Sequence, residues 1–250
     1  MTEIASHRGG AGLWPENSRT ALENTAKLTV EQVEFDVHPS RDGQLVVIHD
    51  ATLERTTDGA GPVCERSLAE LSRLTLEGSA GDGILSLLET IAIFRRTPIK
   101  LRIEIKAGPD GEPYPGLPAR LLALLHEETM LERVILTSFQ LDTLCEAVSL
   151  GRPSSHVWLI APDVQTDLGL GAICEVAKGR GVPMLGIRQN RLDTDVVRRA
   201  RAARLGIGGW AANDETAIAK MFELGIDVFT TDRPDLALKA RDTLGCASSR

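Results

Sequence analysis

Short apolar, β-branched runs alternate with longer helical patterns from one end of this chain to the other, and no other feature constrains its fold as much. The strand candidates are "EIASHRG", "QVEFDV" with "QLVVIHD", "KLRIEIK", "RVILTSF", "HVWLIAP", "PMLGIRQ", "RLGIGGWAAN" and "DVFTTDRP". Between them lie helical segments such as "SRTALENTAKL", "LPARLLALLHEE" and "TDVVRRARAARL". Strands that alternate with helices pair in parallel through βαβ units. Counting "QVEFDV" and "QLVVIHD" as one position gives eight units of about 30 residues, the repeat and length of a TIM (β/α)₈ barrel. A doubly wound three-layer sheet shares the alternation, but the repeat count favours the barrel.

One interval breaks the rhythm. From Asp50 to Ser86 the chain is too long for a βα loop and is punctuated by Asp58-Gly59, Gly61-Pro62 and Gly81-Asp82-Gly83. "SLAE" at 67–70 has the spacing of a capping box. These signals predict one domain over residues 1–250, with residues 50–86 a small insertion after strand 2 on the barrel rim. "CASSR" at the end reads as a frayed tail.

A net charge of −7 argues against nucleic acid or an anionic membrane as the main partner. No basic-then-apolar leader and no transmembrane-length apolar run is present, so the expectation is a cytoplasmic protein without a membrane anchor. Cys64, Cys145, Cys174 and Cys246 are too widely spaced for a zinc site or a disulfide framework and read as reduced thiols. Oligomeric state is left open, and a homo-oligomer is compatible with this reading.

Residues i and i+2 on a barrel strand share a face, and those at the strand's C-terminal end face the active-site mouth. His7 ends strand 1. Glu34 and Asp36 end strand 2, Glu104 and Lys106 end strand 3, and His49 closes "LVVIHD". Three carboxylates within about 4 Å repel by roughly 4 kcal/mol per pair at an effective dielectric of 20, so Glu34, Asp36 and Glu104 require a cation or a shared proton. Oxygen-only ligands select one hard divalent ion, Mg²⁺, Ca²⁺ or Mn²⁺, ahead of zinc. Two histidines, the cationic Arg8 and a strand-end lysine around such an ion suit phosphodiester cleavage, with one imidazole taking a proton and the other giving one.

The blocks "HRGGAGLWPENSRTAL", "VEFDVHPSRDGQLVVIHDATLERTTDGAGPV", "RIEIK", "TSF", "GWAAND" and "GIDVFTTDRPD" resemble the glycerophosphodiester phosphodiesterases from His7 to Asp235. The resemblance implies a TIM barrel with a small insertion, a divalent metal, and hydrolysis of a small-molecule glycerophosphodiester to an alcohol and glycerol 3-phosphate. It also implies that His7 and His49 are the acid–base pair and that Glu34, Asp36 and Glu104 hold the metal. Arg8 and Lys106 would contact phosphate, Glu16 would position the glycerol or support Arg8, and Trp210 would line the pocket. Ser18, Ser40, Arg41 and "WAAND" depart from the usual pattern and touch the substrate side more than the metal side.

Gly9 and Gly10 are read as allowing a close turn after His7, and Pro15 as opening the first helix. Trp14 is either a lip on the pocket or a loop anchor. His38 is read as a rim residue, Asp50, Arg55 and Thr56 as folding the excursion, Asp232 as a structural or capping residue, and His126 and His156 as structural. Rival functions are a phospholipase D-like or lyase-type barrel acting on lysophospholipids or releasing a cyclic phosphate, a binding protein, and a sugar isomerase or aldolase. The low aromatic content of 4% disfavours the first, the completeness of the histidine and carboxylate set the second, and Glu104 beside Lys106 the third.

Overall fold

The computed structural model describes residues 2–150 and 153–247. Its strands are β1 (Glu3–His7), β2 (Gln32–Pro39), β3 (Leu45–Val47), β4 (Leu85–Ser86), β5 (Lys100–Ile105), β6 (Val134–Ser138), β7 (Ser155–Ile160), β8 (Met184–Arg188), β9 (Gly206–Trp210) and β10 (Val228–Thr231). Among the described residues, β1, β2 and β5 to β10 pair in parallel in chain order, and β1 pairs with both β2 and β10, which closes the ring. The fold is a TIM barrel.

Alternation along each strand divides its side chains between two cores. On β5, Leu101, Ile103 and Ile105 pack outward under the helices, and Arg102 and Glu104 point into the barrel. Val33, Phe35 and Val37 of β2 join the outer core, while Gln32, Glu34 and Asp36 turn inward. On the far side the interior is apolar, with Ile135, Val157 and Leu159 packed against Met184 and Trp210. Gly186 keeps this half closed: a Cβ there would lie 2.6 Å from Leu159 Cδ2. The barrel interior is thus polar along β1, β2 and β5 and mainly apolar along β6 to β9.

The second strand position differs from the sequence reading. "QLVVIHD" does not extend β2. Its Leu45–Val47 core forms β3, antiparallel to β2 in the register Val37 to Val47, and β4 pairs antiparallel to β3. An apolar run of this length carries no information about strand direction. The intervening turn at Ser40–Gln44 supplies it: Ser40 N–H donates to the Gln44 carbonyl at 2.8 Å, and Gln44 N–H to the Ser40 hydroxyl at 2.9 Å.

Between β3 and β4 the excursion builds its own apolar cluster from Val46, Ile48, Leu53, Val63, Leu71, Leu76 and Ile84. Within it α2 (Leu68–Leu71) has the predicted capping box, Ser67 and Glu70 each satisfying the other's backbone N–H. The chain returns to the barrel through α3 (Leu87–Phe94), which has a second such box at Ser86 and Glu89. The first barrel helix, α1 (Arg19–Thr25), starts later than Pro15 suggested, because Ser18 is its N-cap and accepts from Ala21 N–H at 3.0 Å. The last helix, Pro234–Ala247, takes in Cys246 and Ala247, and the rest of the expected tail lies outside the described residues.

Candidate active site

The C-terminal ends of the strands surround a cleft of about 300 Å³ lined by His7, Arg8, Glu34, His49, Glu104 and Trp210, with Arg102 and Thr137 deeper and Phe139 at its edge. Asp36 lies beside them. Carboxylate oxygens of Glu34, Asp36 and Glu104 all come within 4.8 Å of one another, and all three residues are buried.

Three cations offset this charge. Lys106 Nζ donates to Glu104 at 2.7 Å and lies 3.6 Å from Asp36 Oδ1. Arg8 Nε lies 3.5 Å from Asp36 Oδ2, which also accepts from the Asn17 amide at 2.9 Å. Arg102, buried beneath them, donates to Gln32 at 3.1 Å, and burial lowers its pKa to about 10 despite Glu34 and Glu104, so it stays charged at neutral pH. The carboxylates respond unequally. Burial raises the Asp36 pKa, but Lys106, His49, Arg8 and the Asn17 hydrogen bond outweigh it and hold the group below the usual range. Burial and the adjacent Asp36 charge push Glu34 up to about 7. Asp36 Oδ1 has no hydrogen-bond partner. An all-oxygen donor set with an orphaned carboxylate oxygen and one carboxyl driven toward its protonated form fits a hard divalent cation.

Each imidazole leans on a carboxylate. His7 Nδ1 donates to Asp232 Oδ1 at 2.5 Å, and its Nε2 lies 3.7 Å from Glu34. His49 Nδ1 donates to Asp50 Oδ1 at 2.5 Å. Because a carboxylate accepts only, both rings carry hydrogen at Nδ1. Burial lowers the His7 pKa, but Glu34 and the Asp232 hydrogen bond overcome it and the net shift is upward.

Arg8 has φ +49 and Asn17 φ +57, both in the left-handed region that side chains avoid. Arg8 is held there by its own N–H, which donates to Glu34 at 3.1 Å, and by its carbonyl, which accepts from Asn17 N–H at 3.0 Å. The following Gly9, at φ +76, could not be replaced: a Cβ would lie 3.0 Å from the Ala21 backbone of α1. Glu16 bridges Arg8 at 3.1 Å and Arg55 at 2.8 Å, and Arg55 binds Asp50 at 2.5 Å. A chain of charges therefore runs from Arg8 through Glu16, Arg55 and Asp50 to His49. Trp14 packs its ring against Gly10.

All nine predicted site residues gather at this end of the barrel, Glu16 through Arg8. His38 is a correction. It is buried under the β3 hairpin, where its Nε2 donates to the His49 carbonyl at 3.1 Å and its Nδ1 accepts from the Tyr114 hydroxyl at 3.0 Å. Asp50 and Asp232 hold the two imidazoles as well as shaping their loops. Asn17 and Arg102 were missed. Arg102 stands two residues before Glu104, so the alternation that exposed Glu104 pointed to it as well.

A family model described as the glycerophosphoryl diester phosphodiesterase family matches residues 7–236. The chain belongs to this family. A glycerophosphodiester phosphodiesterase of Bacillus altitudinis is 31% identical over 252 residues, 98% of this chain and 100% of the relative. A crystal structure from Agrobacterium tumefaciens, named for the same family, superposes with a TM-score of 0.96 at 37% identity, covering 98% of this chain and 99% of the other. An Oleispira antarctica phosphodiesterase, solved with the product sn-glycerol-3-phosphate, is 25% identical with a TM-score of 0.79 over 97% of each chain. Family membership accounts for the shared blocks; the charge relations above are properties of this chain's own side chains. No helix among the described residues is long and apolar enough to cross a membrane.

Proposed function

We propose that this protein hydrolyses glycerophosphodiesters to an alcohol and sn-glycerol 3-phosphate. The observation that carries the reading is the pairing of two carboxylate-oriented imidazoles with a buried triad of carboxylates in one cleft.

Glu34, Asp36 and Glu104 would hold one divalent cation, Mg²⁺, Ca²⁺ or Mn²⁺. When bound, such an ion supplies Lewis-acid charge to the phosphate oxygens. The remaining work falls to side chains. With Nδ1 committed to Asp232 or Asp50, each imidazole has only Nε2 with which to exchange protons in the cleft. One Nε2 takes the proton of the attacking water as its oxygen bonds to phosphorus. The other gives a proton to the alkoxide oxygen as its bond to phosphorus breaks. Arg8 and Lys106 offset charge on the phosphoryl oxygens. Glu16 serves by holding Arg8 in place. Trp210 lines the substrate wall, and residues 50–86 act as a rim insertion within a single domain, keeping His49 and Asp50 at the mouth. The free thiols of Cys64, Cys145 and Cys174 suit a reducing compartment, in keeping with a cytoplasmic enzyme.

The test is release of glycerol 3-phosphate from a panel of glycerophosphodiesters by metal-stripped protein, with Mg²⁺, Ca²⁺, Mn²⁺ or EDTA added. Turnover should require the ion. His7→Ala and His49→Ala should each lower kcat by about 10² to 10⁴-fold with the fold intact. Near-normal turnover in either variant would sink the acid–base assignment, and silence across the panel would sink the substrate class.

A further inference from the structure

Arg188 is the last residue of β8. Leu185 and Ile187 belong to the outer core, so Met184, Gly186 and Arg188 point to the inner side of the barrel. Its register partner on β9 is Trp210, a wall of the cleft. The Arg188 guanidinium carbon lies 5.7 Å from the centre of the Trp210 ring, within cation–π range. Trp210 in turn meets Phe139 edge to face, with ring centres 5.7 Å apart.

The other cations at this mouth are committed. Arg8 is taken by Glu16 and Asp36, Lys106 by Glu104 and Asp36, Arg55 by Glu16 and Asp50. Arg188 is exposed, and its guanidinium has no hydrogen bond or ion pair among the described residues. The chain does not lack acids to pair with it, since 35 Asp and Glu stand against 28 Lys and Arg. Stacking on Trp210 restrains the side chain while leaving its planar N–H fork without a protein acceptor. A carboxylate or phosphate fits such a fork in bidentate fashion. The aromatic pair beside it would cover the carbon skeleton of a substituent ending in that anion.

On the glycerophosphodiesterase reading above, we propose that Arg188 is a specificity-determining residue that selects diesters whose alcohol substituent carries a second anionic group. The contact forms on binding and persists through the reaction, so it acts on KM more than on kcat.

Glycerophosphoserine and glycerophosphoethanolamine differ by a single carboxylate and isolate the effect. The wild-type enzyme should favour the serine diester by roughly tenfold in kcat/KM, the worth of one charge-assisted contact at a partly exposed site. Arg188→Gln should abolish that preference through KM, leave turnover of the ethanolamine diester within about twofold, and keep the unfolding midpoint unchanged. Arg188→Lys should restore part of the preference. Equal hydrolysis of the two diesters by the wild type, or a preference that survives in Arg188→Gln, overturns the assignment while leaving the general activity standing. Failure to cleave either diester with metal present overturns both.

Discussion

Asp50 and Asp232 do the same job for the two histidines in unlike company. Asp50 also accepts from Arg55, whose hydrogen bond is the main reason its pKa falls to about 2. Asp232 is held by a neutral partner: the Asn213 amide donates to its carboxylate, and Asn213 Oδ1 accepts its backbone N–H at 2.9 Å. An asparagine at 232 could still accept from His7 Nδ1 but would not stabilise an imidazolium. Asp232→Asn should therefore lower kcat by about 10² to 10⁴-fold with KM little changed, as measured by steady-state kinetics under saturating metal. An unchanged kcat would reduce Asp232 to a loop-shaping residue. The sequence disclosed His7, Glu34, Asp36, His49 and Glu104 because each is a polar side chain set among apolar neighbours. It did not disclose Asp232 as their partner, because 225 residues separate it from His7 and only closure of β10 on β1 brings them together. Asn17 was hidden for a related reason: its amide reaches Asp36 only from a left-handed turn.

At the level of elements, all eight barrel positions were legible from alternation and spacing, whereas the direction of β3 was not. The consequence reaches the site, because His49 and Asp50 leave the end of β3 and their placement depends on the insertion packing beneath them. The insertion's apolar cluster is distinct from the barrel cores, so it can be loosened selectively. Leu71, fully buried within it, offers the handle. Leu71→Ala should cost the insertion about 2–5 kcal/mol. The expected result is a fall in kcat together with faster hydrogen exchange over residues 45–86, while exchange in β5 to β10 stays at wild-type rates. Uniform acceleration across the barrel would show that insertion and barrel unfold as one unit.

At the scale of the whole molecule, the outer core includes a titratable group whose burial leaves an acid-side signature. His156 on β7 is buried, its Nε2 has no partner, and burial lowers its pKa. The folded state thus resists protonation more than the unfolded chain does. His156 contributes nothing unfavourable above about pH 6.5; stability is lost as pH falls from there through the lowered folded-state value, at up to about 1.4 kcal/mol per pH unit. His156→Leu should flatten the decline in the urea midpoint between pH 7.5 and pH 5, and parallel declines in the two proteins would refute this.

The division of the barrel interior has a further consequence. Every proposed proton-moving or ion-holding group is supplied by the chain before residue 107, with Asp232 reaching back to orient His7, and the aromatic wall and Arg188 come from the chain after residue 133. On the proposal for Arg188, preference for the alcohol substituent and the chemical machinery lie in separate stretches of the chain. A chimaera carrying a relative's β6–β9 segment should then take on that relative's preference among alcohol substituents while keeping this chain's reaction.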